Sequence, residues 1–289
     1  MRLSNEEIGQ HDRTCEVFME DIFPTKVLGV TLLHKCNFNC AHCGYLYVDD
    51  SKDHAIKPGY RLTWGQIQRV IADCNSIEGE RFGFVLNGGE PTLWQEGNRK
   101  FMDVLLAVAQ GGICPSYNTN GSYFVDYDQC YDFFHTYSEK AEIPLKTFVS
   151  MDKFHDNYDR EKGRADSLDN IVKVLAEMPE DKRSMHHIHV VTIISKDPDS
   201  YLPAEMKDYY SARGVTFGDF PMQPIGRAKD LMDEMPDSEE FFKNMPPPPK
   251  NAGGYPIGSL IGEDYVRHGE NVAKLGNLKE LVAMAVAGL

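Results

Sequence analysis

The chain has 289 residues, 42% apolar and 26% charged, with a formal net charge of −14 from 30 basic and 44 acidic side chains. That length and composition fit a soluble globular enzyme built as one large domain, or as one domain with an appendage. The acidic balance disfavours nucleic acid, and no run approaches the roughly 18 apolar residues of a membrane span. The opening MRLSNEEIGQHDRTCEVFMEDIF is charged throughout and has no apolar signal core, so the expected location is cytoplasmic, with neither nucleic acid nor membrane as a partner.

Residues 1–26 read as a short N-terminal segment. The first strand expected is Leu28–Leu33 (LGVTLL), and just beyond it KCNFNCAHCGY places Cys36, Cys40 and Cys43 within eight residues. Thr63-Trp-Gly-Gln66 has the form of a capping box ahead of Ile67, Val70, Ile71 and Cys74 at helical spacing. The second strand, Gly83–Leu86, runs into Asn87-Gly88-Gly89-Glu90-Pro91. A helical stripe of Phe101, Val104, Leu105 and Val108 follows. Next come a third strand, Pro115–Asn118, and the turn residues Asn118-Thr119-Asn120-Gly121.

A fourth strand, Lys146–Met151, ends at Ser150 and Asp152, with His155, Asp156 and Arg160 soon after. Ser167–Met178 reads as a helix with Leu168, Ile171, Val172 and Leu175 on one face. The fifth strand, Ile188–Ile194, is entered by His186, His187 and His189, whose roles the sequence leaves open. Tyr201–Arg213 precedes Gly214, a helix stop, and the sixth strand is Val215–Phe220, followed by Gln223-Pro224-Ile225-Gly226-Arg227. Beyond residue 228 the composition shifts to DLMDEMPDSEEFF and the prolines Pro246–Pro249, so a core of 27–228 and a C-terminal extension of 229–289 are expected.

Six strand–helix alternations predict an α/β fold with parallel strands joined by crossover helices. Six units are too few for a closed eight-fold barrel, leaving a partial barrel or a doubly wound sheet. In both, chemistry gathers at the carboxyl ends of the strands, which is where nearly every polar motif above falls.

Of the seven cysteines, Cys15, Cys74, Cys114 and Cys130 are scattered and read as small buried hydrophobes. The triplet differs in kind. Three thiolates are one ligand short of a closed zinc site, for which His42 or His34 is the available fourth. On a 4Fe–4S cluster, three thiolates leave one iron open to a substrate or cofactor.

Cys36-x3-Cys40-x2-Cys43 resembles the signature of the radical S-adenosylmethionine (radical SAM) superfamily. His42 stands where that family most often has an aromatic residue. The resemblance implies a partial (β/α)6 TIM-like barrel in which the three cysteines hold a 4Fe–4S cluster and S-adenosylmethionine completes the open iron. Gly88, Gly89, Glu90 and Pro91 resemble the family's methionine-binding GGEP motif. Ser150 and Asp152 resemble its ribose-binding position, and His155, Asp156 and Arg160 its HD…R run, with Arg160 facing the cofactor carboxylate. Asn120 is a further candidate cofactor contact, and Thr192 and Ile194 are candidates to flank adenine.

The resemblance covers residues 27–228. Peptide-modifying relatives often continue into a cysteine-rich SPASM or twitch domain. Here no cysteine follows Cys130, while Gly276-Asn277-Leu278-Lys279-Glu280 is similar to the phrase that closes such tails, so a shortened SPASM-like tail without auxiliary clusters is expected, its last helix docked on the core. The lead before the first strand is too short for the winged-helix domain that grips leader peptides. The implied activity is reductive cleavage of S-adenosylmethionine to a 5′-deoxyadenosyl radical, fed by a flavodoxin or ferredoxin, with hydrogen abstraction from a peptide or amino-acid-like substrate. A small metabolite substrate, and a non-catalytic iron–sulfur or zinc protein, remain the alternatives.

Overall fold

Runs of β-branched and aromatic residues form the strands, and amphipathic segments between them form the crossovers. The computed structural model describes residues 26–43, 59–79, 81–155, 165–197, 200, 202–221 and 231, with three further strands within 255–274. The parallel strands are β1 (Lys26–Leu33), β2 (Phe82–Gly88), β5 (Cys114–Thr119), β6 (Leu145–Ser150), β7 (His186–Ile194) and β8 (Thr216–Pro221). They are neighbours in chain order, β1-β2-β5-β6-β7-β8. A doubly wound sheet would reverse direction at a switch point. Among these six strands the order does not reverse, as in a partial (β/α)6 barrel.

The crossovers are α1 (Trp64–Asn75), α2 (Phe101–Gln110), α3 (Tyr127–Lys140), α4 (Asp166–Glu177) with the single turn α5 (Glu180–Arg183), and α6 (Ala204–Ser211). A two-residue hairpin, β3 (Gln95–Glu96) and β4 (Arg99–Lys100), stands between β2 and α2. The capping box of α1 is formed: Thr63 Oγ1 accepts from Gln66 N, and Thr63 N donates to Gln66 Oε1 at 2.8 Å. The expected faces of α1 and α2 are buried. On α4 the buried set is Leu168, Ile171, Val174 and Leu175, while Val172 is only partly covered. Each such side chain contributes about 1.5–3 kcal/mol, against the few tenths that separate ordinary helix propensities, so packing holds these helices. The helix α3 was absent from the sequence reading, although Cys130, Phe133, Phe134 and Tyr137 repeat at helical spacing and are buried.

The strands alternate between two faces. Leu28, Val30, Phe84, Leu86, Tyr117, Val149, Ile188 and Val190 pack in the core shared with the helices. The opposite face carries Thr31, Asn87, Asn118, Phe148, Ser150, His189 and Val191, aligned by the parallel register and only partly buried. Thr192 and Ile194 are 0% and 1% exposed and share the parity of Ile188 and Val190. Both are buried, whereas Val191 and Ile193, of the other parity, are only partly buried.

The segment expected as a C-terminal extension supplies three strands to the same sheet: β9 (Tyr255–Ile261), β10 (Tyr265–His268) and β11 (Asn271–Lys274). β9 runs parallel to the outer edge of β1, and β10 and β11 continue antiparallel. Gln223–Arg227, Pro246–Pro249, Gly276–Glu280 and the expected final helix lie outside the described residues.

Candidate active site at the strand ends

The cysteine loop is built on β1 and clamped from both sides. On one side Leu62 N donates to Leu32 O at 2.8 Å and His34 N to Tyr60 O at 3.2 Å. On the other, Gly89 N donates to Leu33 O at 2.8 Å and Glu90 N to Lys35 O at 2.9 Å. This second clamp explains the two glycines. A Cβ at Gly88 would lie 2.1 Å from Leu33 O, and one at Gly89 would lie 2.1 Å from Lys35 O. Gly88 also has φ +136°, where L side chains are strained. The GGEP loop thus fastens the chain one residue before Cys36.

Glu90 is fully buried. Its Oε1 accepts from Thr92 Oγ1 at 2.7 Å, Thr119 Oγ1 at 2.8 Å and Thr92 N at 3.2 Å, and its Oε2 accepts from Asn120 N at 2.8 Å. Burial pushes this carboxyl above its ordinary range, against the opposing effect of those hydrogen bonds. The described bonds of Glu90 therefore tie the end of β2 to the end of β5. Pro91, itself buried, opens the turn Pro91–Leu93.

Asn120 carries the link onward. It is 7% exposed, and its Nδ2 donates to Asn37 Oδ1 at 2.9 Å and lies 3.7 Å from Cys36 Sγ. Asn37 in turn donates to Ser122 Oγ at 2.8 Å. Phe38 N points at Cys36 Sγ from 3.4 Å, and Cys43 N donates to Cys40 O at 3.3 Å. All three cysteines are free thiols and partly buried. Burial raises the Cys36 thiol, the Phe38 N–H opposes that, and the charges of Glu90, Cys40 and Cys43 raise it further. A bound cation would invert this logic, because coordination deprotonates a thiol.

The end of β6 approaches from the other side. Asp152 is fully buried, with Oδ1 accepting from Phe154 N at 2.8 Å and His155 N at 3.1 Å, and Oδ2 bonded to His155 Nδ1 at 2.8 Å and Ile193 N at 3.3 Å. These partners differ from the ribose diol expected of it. Ser150 is partly buried at the end of β6. Burial works against a charge on His155, but the bonds to Asp152 and Cys40 and their charges prevail and raise it to about 10. Burial likewise works against ionised Asp152, and the His155 bond and charge overcome it and lower the carboxyl. His42 packs its ring 4.7 Å from His155 and 5.1 Å from Phe154, and burial lowers it to about 4, leaving it neutral.

Candidate ligand atoms of His42, Asp152 and His155 lie within 4.8 Å of one another. A cation between them would have to displace hydrogen bonds that already occupy both oxygens of Asp152, so the group reads as an ion pair with a neutral imidazole beside it. The loops after β1, β2, β5 and β6 thus converge on the cysteines. Arg160 and Asp156 lie outside the described residues. His186, the first residue of β7, is at the opposite end, buried against Phe134 and Tyr137. The sequence reading missed Asn37, Thr92, Thr119 and Ser122. Thr92, two residues after Glu90, had the spacing of a local side-chain cap, but the others are joined only by the fold.

No family model matches the chain, and no curated protein matches it significantly. Solved structures do. Native anSMEcpe with bound AdoMet is 15% identical over 67% of this chain and 52% of its own, with a TM-score of 0.43. Streptococcus suis SuiB bound to precursor peptide SuiA is 11% identical over 75% of this chain and 55% of its own, at 0.36. Methylornithine synthase (PylB) is 16% identical over 79% and 64%, at 0.41. These proteins are radical SAM enzymes. The chain spans about half the length of the first two. Likenesses this distant leave the chemistry to be argued from the site. Among the described residues no helix is long and apolar enough to cross a membrane.

Proposed function

We propose that the chain is a radical SAM enzyme in which Cys36, Cys40 and Cys43 hold a 4Fe–4S cluster. One observation carries the reading. Three free, partly buried thiols sit on one clamped loop, and the Asn120 side chain from the end of β5 lies 3.7 Å from Cys36 Sγ. The other described cysteines stand apart: Cys74 and Cys130 are buried on helices and Cys114 opens β5. The loops of Gly88, Gly89, Glu90 and Pro91, of Asn120, and of Ser150 and Asp152 form the cofactor side, with Arg160 assigned to the cofactor carboxylate. Glu90 and Asp152, bonded within the protein, act there by shaping the wall.

When bound, the cluster and S-adenosylmethionine supply one-electron cleavage of the sulfonium and a hydrogen-abstracting radical. The chain's residues hold the loops, exclude water and orient the cofactor; a flavodoxin or ferredoxin supplies the electron. The substrate we assign is a peptide or an amino-acid-like molecule. The net charge of −14 favours this over nucleic acid, and so do the resemblance of Ser150-Met151-Asp152 and Pro224–Arg227 to peptide-modifying relatives and the tail phrase at Gly276–Glu280.

Anaerobic reconstitution tests the reading. About four irons per chain are expected, with slow release of 5′-deoxyadenosine from S-adenosylmethionine under reduction. Replacing Cys36, Cys40 and Cys43 together by Ala should abolish both. One zinc per chain without iron uptake would defeat it. Deuterium transfer from labelled candidates into 5′-deoxyadenosine identifies the substrate.

A further inference from the structure

We propose that Asn87, Asn118 and His189 bind the substrate on the sheet face away from the helices, with His189 Nε2 accepting a hydrogen bond from an amide N–H and the two asparagines donating to its carbonyl. The inference deepens the enzymatic reading above and rests on it. The parallel register sets one residue of each of the six strands in a single row: Thr31, Asn87, Asn118, Phe148, His189 and Thr216. Asn118 Nδ2 donates to Asn87 Oδ1 across the junction of β2 and β5. All but the exposed Thr216 are partly buried, and the core packed against the helices lies on the other side. The row runs one layer beneath the candidate cofactor loops. Asn87 adjoins Gly88, while Asn118 and Phe148 stand two residues before Asn120 and Ser150, roughly 7 Å along a strand.

Hydrogen-bond counting fixes the imidazole. His189 Nδ1 lies 2.8 Å from Thr216 Oγ1, which also stands 3.2 Å from Ile188 O. A hydroxyl has one hydrogen. Both contacts are hydrogen bonds only if that hydrogen goes to Ile188 O and Nδ1–H donates to Oγ1. Nε2 then carries the bare lone pair of a neutral ring, the form that burial favours. The Phe148 ring packs edge-on against it at 5.5 Å. On the amides, Asn118 Nδ2 gives one hydrogen to Asn87, and Asn87 Nδ2 gives one to Val85 O at 2.9 Å. The second hydrogen of each and Asn118 Oδ1 are left for a ligand. The row carries no formal charge, and neither do Ser150, Val191 and Gly218 in the layer above it. On this face of the six strands the charge belongs to Lys146, in the layer beneath, near the entry of β6. A free amino acid would bring an ammonium and a carboxylate to this surface, and an unpaired charge costs far more to bury than a hydrogen-bonded amide. A residue inside a peptide brings an N–H and a C=O, the complement of what the row offers.

The test is nitrogen NMR of histidine-labelled, reconstituted protein with S-adenosylmethionine, the His189 signals being those lost in His189→Asn. Nδ1 should be protonated and Nε2 bare; the opposite tautomer would overturn the inference. Titration with a panel of N-acetyl amino-acid N-methylamides should move the Nε2 signal, and the matching free amino acids should bind about tenfold more weakly. No movement with any amide, or an equal response to the free amino acids, would overturn it. For the amide that binds best, calorimetry should give a Kd raised about three- to tenfold in His189→Asn, the loss of one hydrogen bond. That variant keeps an amide able to donate to Thr216, so a merely structural role would leave the Kd unchanged. His189→Gln, which places an amide oxygen nearer the position of Nε2, should recover part of the loss. If His189→Asn does not fold, Asn118→Ala carries the same measurement. Wild-type protein that binds no iron would overturn the reading beneath, and shows this before any titration.

Discussion

Gly89 and Gly65 make a controlled pair. A Cβ at Gly89 meets Lys35 O at 2.1 Å and Lys35 C at 2.4 Å, all backbone, whereas one at Gly65, in the first turn of α1, meets nothing within 4 Å. Gly89→Ala should therefore destabilise the protein by about 1–3 kcal/mol and reduce iron uptake, because the carbonyl in its way belongs to the residue before Cys36. Gly65→Ala should stabilise it by about 0.5–1 kcal/mol; urea unfolding of both, with iron content, checks the pair. Asp152→Ala should cost about 3–5 kcal/mol in the same assay, since it strands the buried His155 partner and three N–H groups. An unchanged midpoint would mean that these bonds are not formed in solution. The sequence located Asp152 at the site and gave no sign of its partners. The chain turns after β6, so the backbone N–H groups of Phe154, His155 and Ile193, which no local pattern brings together, reach the side chain.

At the level of elements, legibility followed the strength of local signals. The capping box at Thr63 and the stripes of α1 and α2 were readable because apolar periodicity and cap chemistry are local properties. Thr63→Ala should lower stability by about 1 kcal/mol, read as a shifted urea midpoint at constant slope. The helix α3 escaped because its buried face is Cys130, Phe133, Phe134 and Tyr137, residues of modest helix propensity amid polar neighbours, and what makes it helical is the aromatic packing of Phe133 and Phe134 with Phe124 at 5.2 and 5.4 Å. The faces of β7 were not legible for another reason: nearly every residue there is apolar or imidazole, and an alternation that names no polar side does not say which parity faces the helices.

For the whole molecule, alternating strands and helices announced a parallel α/β fold, but the choice between a singly and a doubly wound sheet is a matter of strand order, which no local pattern encodes. One bulk property follows from burial. His186 is 8% exposed, and burial lowers it to about 4 from an ordinary 6.5. The folded protein therefore binds fewer protons there than the unfolded chain. Its stability is intact above pH 6.5 and is lost as pH falls towards 4, by on the order of 3 kcal/mol. Burial lowers His187 and His189 in the same direction. His186→Phe, placed against Phe134 and Tyr137, should flatten but not abolish the fall between pH 6.5 and 4 in urea titrations. An identical slope in wild type and variant would count against a neutral, buried His186.

The strand that carries the cysteines into place is completed by neighbours of very different sequence separation. β2 follows β1 within about 50 residues, whereas β9, on its other edge, comes more than 200 residues later. During synthesis the outer edge of β1 therefore waits unpaired, an open template for other strands, until Tyr255–Ile261 has emerged more than 200 residues later. Closing that last register is a contact of high sequence separation and so a slow step. A stalled or prematurely released chain would carry the cysteine loop on a strand with one neighbour, which makes delivery of iron and sulfide a reaction best timed after release.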